Sequence, residues 1–120
     1  VGALEKMIDE VLGANAQSRG NDSEALAFFK EALDLAPEFQ TARIYYAATA
    51  IRANQDSLAD KILAPIVQTG GAAEPNIAAA YVARGRYDKI VYIWTARVKA
   101  VPNDTQARFT LAAAMFAASL

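Results

Sequence analysis

Between Asp22 and Ala36 the apolar residues Ala25, Leu26, Phe29, Ala32 and Leu33 recur at i, i+1, i+4, i+7 and i+8. That spacing places them on one stripe of an α-helix, with Lys30, Glu31 and Asp34 on the other side. Ile44, Ala47, Ala48 and Ile51 repeat the pattern between Gln40 and Ala53. No segment shows the two-residue alternation of a half-buried strand. The breaks are as regular as the stripes. Gly20-Asn21-Asp22-Ser23 and Asn54-Gln55-Asp56-Ser57 join turn residues to helix-capping side chains. Pro37, Pro75 and Pro102 suit first turns and connections, Gly85 a tight turn, and Thr69-Gly70-Gly71 a flexible break. The pattern predicts seven helices, at about 3–18, 22–36, 39–53, 57–68, 74–84, 87–100 and 104–118. Pro65 lies inside the fourth and is expected to kink it or end it early.

The helices come as copies. The turn positions Gly20, Asn54 and Gly85 are 34 and 31 residues apart. The small residues Gly13, Ala47, Ala78 and Ala112 are 34, 31 and 34 apart, and Ala25 and Ala59 are 34 apart. One register with three residues missing near Gly70-Gly71 accounts for all of these. A helix–turn–helix period of about 34 residues marks the tetratricopeptide repeat, and the chain resembles that family over nearly its whole length. Leu12-Gly13, Gly20, Ala25, Phe29, Ala32 and Pro37 carry the likeness in the first copy; Ile77-Ala78, Tyr81, Gly85, Tyr87, Trp94 and Pro102 carry it in the third. The second copy keeps Tyr46-Ala47, Ala50, Ala59 and Leu63 but lacks the closing proline. The resemblance implies an all-α superhelix of one domain over 1–120. Its repeats fall at about 6–39, 40–70 and 71–104, followed by a half repeat at 105–120. Small residues are expected where the helices of a hairpin cross, and Phe29, Leu63 and Trp94 where adjacent hairpins meet.

Composition narrows the chemistry. With 54% hydrophobic residues among 120, the chain has ample material for a core. It contains no histidine and no cysteine, which excludes thiolate nucleophiles, zinc fingers and Ser–His or Cys–His acyl transfer. No run approaches the roughly 20 apolar residues of a membrane-spanning helix. The net charge of −1 exerts no pull on nucleic acid or membrane, although residues 1–60 carry −5 and residues 61–120 carry +4. Carboxylates are close at Asp9-Glu10, Glu31 with Asp34, and Asp56 with Asp60; all read as solvated helix faces or caps. No phosphate loop or calcium loop is present. Arg84, Arg86 and Lys89 around Tyr87 form the densest basic cluster, suited to an acidic group or, more simply, to water at a helix end. These residues designate no catalytic, metal or cofactor site, and the expected role is non-enzymatic.

By the resemblance, the first helix of each hairpin lines an inner groove. The lining positions are then Glu10, Ala14 and Gln17; Ile44, Ala48, Ile51 and Arg52; Ala79 and Val82; and Phe109, Ala113 and Phe116, with Tyr45 and Arg52 at the polar edge. One family mode grips a C-terminal carboxylate with Lys, Arg and Asn; here only Asn76 is near such a position. The groove instead suits an aliphatic or amphipathic segment of a protein or peptide partner. The stretch from Phe109 to Leu120 is apolar nearly all round, so self-association through this last helix is also expected. The alternative role is a structural or oligomerisation segment of a larger protein, of the kind attached to bacterial envelope proteins.

Overall fold

The computed structural model describes residues 21–120. Within them lie six helices and no strand: α1 (Asp22–Leu35), α2 (Gln40–Arg52), α3 (Asp56–Val67), α4 (Pro75–Ala83), α5 (Tyr87–Ala100) and α6 (Thr105–Ala118). Each helix end falls within one residue of its sequence expectation. The predicted helix at about 3–18 and the positions Glu10, Gly13, Ala14, Gln17 and Gly20 lie outside the described residues. The chain divides into two compact units, Val1–Ile62 and Leu63–Leu120, with α3 running through the division.

In the first unit α1 packs on α2. The Asn21 side chain caps α1: its Oδ1 accepts the Glu24 N–H at 3.1 Å, while its Nδ2 donates to Glu24 Oε2 at 2.9 Å. Ala25, Phe29 and Ala32, the predicted stripe, are buried. Phe29 stacks on Tyr45 with ring centroids 5.8 Å apart. Ala47, at the expected crossing position, is fully buried.

The connections into α2 and α6 are built alike. Pro37 and Pro102 occupy equivalent places, and each has its carbonyl held by an arginine six residues on, Arg43 Nη2 at 3.1 Å and Arg108 Nε at 2.9 Å. The Phe39 and Asp104 amides likewise bond back to the Ala36 and Val101 carbonyls, each at 3.0 Å. Arg43 also donates Nη1 to the Ile62 carbonyl at 2.9 Å. That carbonyl lies beside Lys61, whose own carbonyl loses its helical donor to Pro65. The helix nevertheless runs through Pro65 and stops two residues later, at Val67.

Three helices close in the same way. Asn54, Gly70 and Gly85 have φ of 63°, 85° and 66°. In each case the following amide bonds five residues back: Gln55 to Ala50, Gly71 to Ile66 and Arg86 to Tyr81, at 2.8–2.9 Å. The left-handed residue's own amide bonds three residues back, completing a Schellman closure. Gly70 is therefore a fixed closure and not the flexible break its sequence suggests. It is buried, and a Cβ there would stand 2.9 Å from Arg97 Cδ and 3.3 Å from Arg97 Cα.

In the second unit α5 packs against both α4 and α6. Ile77, Tyr81, Ile90, Ile93 and Trp94 are buried. Arg97 Nε donates to Asp104 Oδ2 at 2.7 Å, and Asp104 Oδ1 caps α6 by accepting the Ala107 N–H at 3.0 Å. The end of α5 and the start of α6 are thus joined through one carboxylate.

Candidate functional site

The α4 helix has nine residues, against thirteen in α2 and fourteen in α6. At 1.5 Å per residue it is shorter by about 6–8 Å. Aligned on the closures at Asn54 and Gly85, Gln40 at the start of α2 corresponds to Gly71, so the missing turn of α4 is its first. Pro75 explains the loss. It occupies the first helical turn and forces the residue before it out of the helical region, and Glu74 is extended at φ −118°, ψ 145°. Helix cannot propagate upstream through that residue.

A recess of about 330 Å³ opens at this end of α4. Ala73, Pro75 and Ala78 form one wall, Asp104, Gln106, Ala107 and Thr110 the other, and Trp94 of α5 the floor. A second recess of about 140 Å³ continues it along the helices, between Ala78 and Val82 on one side and Thr110, Ala113 and Ala114 on the other, with Tyr87 and Ile90 beneath. The two share Ala78 and Thr110 and make one furrow. Its walls are mostly small and apolar, which leaves room for an incoming side chain and offers it surface to bury.

Asp104 is the one charged side chain in either lining. The Ala107 N–H, and after it the Arg97 guanidinium, hold its carboxyl below the usual carboxylate range. The polar end of the furrow is therefore a fixed and already paired anion, beside the Gln106 amide and the Thr110 hydroxyl. Such a surface can exclude water from an apolar guest and donate a few hydrogen bonds to its backbone; it supplies no cation.

The sequence-predicted groove residues separate into four groups. Ile44, Ala48 and Ile51 are 7%, 3% and 0% exposed, so they pack inside the first unit and present nothing to a guest. Tyr45 is half-buried against Phe29, and Arg52 is exposed, 3.9 Å from Asp22. Val82 and Ala113 come together in the smaller recess. Ala79, Phe109 and Phe116 are exposed but line neither recess. Trp94, Ala78 and Thr110 were assigned no site role by sequence, yet they form the furrow. The 31-residue spacing was the signal for them, since it marks where α4 is cut short. In the basic cluster, Arg86 forks onto Asp88 through two bonds of 3.1 and 3.0 Å, which lowers the Asp88 carboxyl from its ordinary value. Asp34 pairs with Lys30 at 2.8 Å on an exposed face. No helix among the described residues is long and apolar enough to cross a membrane.

Comparison with solved structures shows what fold this is. Over 100% of both chains the protein matches the first tetratricopeptide domain of Spaghetti (RPAP3), solved bound to the HSP90 peptide SRMEEVD, with a TM-score of 0.68 and 16% sequence identity. The chain has an all-α, tetratricopeptide-like repeat fold. No family model and no curated protein matches its sequence.

Proposed function

We propose that this domain is a protein-interaction scaffold that takes an apolar or amphipathic segment of a partner, extended or helical, in the furrow between α4 and α6. The observation that carries this reading is the furrow itself: open, walled by alanines and Val82, and floored by Trp94. A peptide-bound neighbour of the same fold supports the class of function. The guest, however, differs in chemistry from that neighbour's peptide. SRMEEVD is acidic, whereas the furrow here offers Asp104 and no Lys or Arg, and Asn76 is exposed on α4 outside both linings. Like charge disfavours an acidic tail.

Trp94 is the only tryptophan in the chain, so its fluorescence reports on the furrow directly. The test titrates the protein with amphipathic helical peptides of about 15 residues and, separately, with SRMEEVD. An emission shift is expected with the amphipathic series and not with the acidic peptide. Val82→Asp should weaken the amphipathic peptides about tenfold or more, since it sets a charge in a desolvated contact. Preference for SRMEEVD, or binding indifferent to Val82→Asp, would sink the reading. A second role, as an association segment of a larger assembly, is favoured by the exposed apolar face of α6.

A further inference from the structure

The α6 helix turns two opposite faces to its surroundings. Ala107 and Ala114 are buried against the rest of the unit. On the other side stand Phe109 at 69% exposure and Phe116 at 67%, with Thr105, Ala112 and Ala113 also exposed between and beside them. At 3.6 residues per turn these five positions form one stripe. The centre of the stripe reads the same in both directions: Phe109 and Ala112 are mirrored by Phe116 and Ala113 about a midpoint between the two alanines.

We propose that two copies of this chain associate through α6, antiparallel, across a two-fold axis passing between Ala112 and Ala113. A two-fold contact requires a patch that complements itself. This stripe does so, because the axis sets Phe109 against the partner's Phe116 and the reverse, while the central alanines allow the helices close approach. The electrostatics agree. No ionisable side chain lies in the stripe, and Arg108 at its edge is turned back to the Pro102 carbonyl at 2.9 Å. The symmetry sets Arg108 beside the partner's Ala117 and not beside another cation. The area suffices for a weak dimer. A phenylalanine carries on the order of 150–250 Å². Two of them about two-thirds exposed, with Thr105, Ala112 and Ala113, offer roughly 400 Å² per copy, and so about 800 Å² in the pair, the small area of a weak and transient contact. The association is therefore reversible and concentration-dependent. It is argued without the furrow reading, although Ala113 belongs both to this stripe and to the edge of the smaller recess.

Sedimentation velocity of this chain over about a hundredfold range of concentration tests the proposal. The mass should rise from one chain toward two. Phe116→Asp should weaken association by about tenfold or more, as should Phe109→Lys. Combining Phe109→Lys with Phe116→Glu in one chain should restore it, because the axis brings the new opposite charges together. Since the chain has no cysteine, Ala112→Cys should give a disulfide-linked dimer on mild oxidation, and Ser57→Cys, exposed in the other unit, should not. Circular dichroism checks that each charged variant is folded, and the cysteine pair needs no charge at all. A monomer across the whole range would overturn the proposal. So would a dimer untouched by Phe116→Asp in which Ala112→Cys links no better than Ser57→Cys.

Discussion

Gln40-Thr41-Ala42-Arg43 opens α2 and Thr105-Gln106-Ala107-Arg108 opens α6, and both helices continue in alanines and large apolar residues. Both start after the same proline connection, and in both the arginine holds the proline carbonyl. In α2, however, eight of thirteen residues are buried, against two of fourteen in α6. Arg43 shows why: its second nitrogen reaches the Ile62 carbonyl of the next helix, whereas the described residues contain no helix after α6. Whether an alanine-rich repeat helix becomes core or surface is decided by what stacks on it and not by its own composition.

The largest effect expected within this contrast comes from the aromatic residues that close each unit. Phe29→Ala and Trp94→Ala remove side chains 0% and 4% exposed, and each should lower unfolding free energy by about 3–5 kcal/mol in urea titration. A loss below about 1 kcal/mol would take that residue out of the core. Next is the direct comparison of the two helices. Ala47→Leu overpacks a fully buried crossing in α2 and should cost about 1–3 kcal/mol. Ala112→Leu on the exposed side of α6, measured at concentrations where the chain is monomeric, should stay within about 0.5 kcal/mol. Equal costs would erase the distinction. A third comparison separates backbone strain from crowding. Gly85→Ala meets no atom within 4 Å and should cost only the left-handed penalty, about 1–2 kcal/mol. Gly70→Ala bears that penalty and also presses on Arg97, so thermal melts should place it lower than Gly85→Ala. The smallest effect concerns Asp104. Its folded pKa lies below the unfolded value, so its contribution is present above about pH 4 and fades as pH falls through the folded value. Asp104→Asn keeps a capping side chain but removes this titration; its stability should fall less steeply below about pH 4 than the parent's.

The helices were legible because each carries its own punctuation: Asn21 caps, Asn54 and Gly85 close, and Pro75 and Pro102 mark starts or connections. The repeat register was legible for the same reason, and it placed Phe29, Ala47, Leu63 and Trp94 in the interior. The site was legible only in part. Periodicity identifies the apolar faces of α2 but cannot say which of them a neighbour covers, so Ile44, Ala48 and Ile51 looked available when they are enclosed. Val82 and Ala113 come together in the smaller recess because both lie on helix faces turned toward it. The furrow over Trp94 leaves no mark in the pattern of apolar side chains because it depends on a turn of α4 that is absent, and an omission leaves no side chain to read. Gly70 differs from its expectation for a related reason: composition records its freedom, while its contact with Arg97 exists only once α5 has folded beside it.

The order in which the described helices pack has a kinetic consequence. The packed pairs α1 with α2, α4 with α5 and α5 with α6 are each neighbours along the chain. Every such contact closes a loop only one hairpin long, so the entropy of bringing its ends together is small. Contacts this local favour fast refolding. Among the described helices, amide exchange should run faster along α6, which buries two of its fourteen residues, than along α2, which buries eight of thirteen.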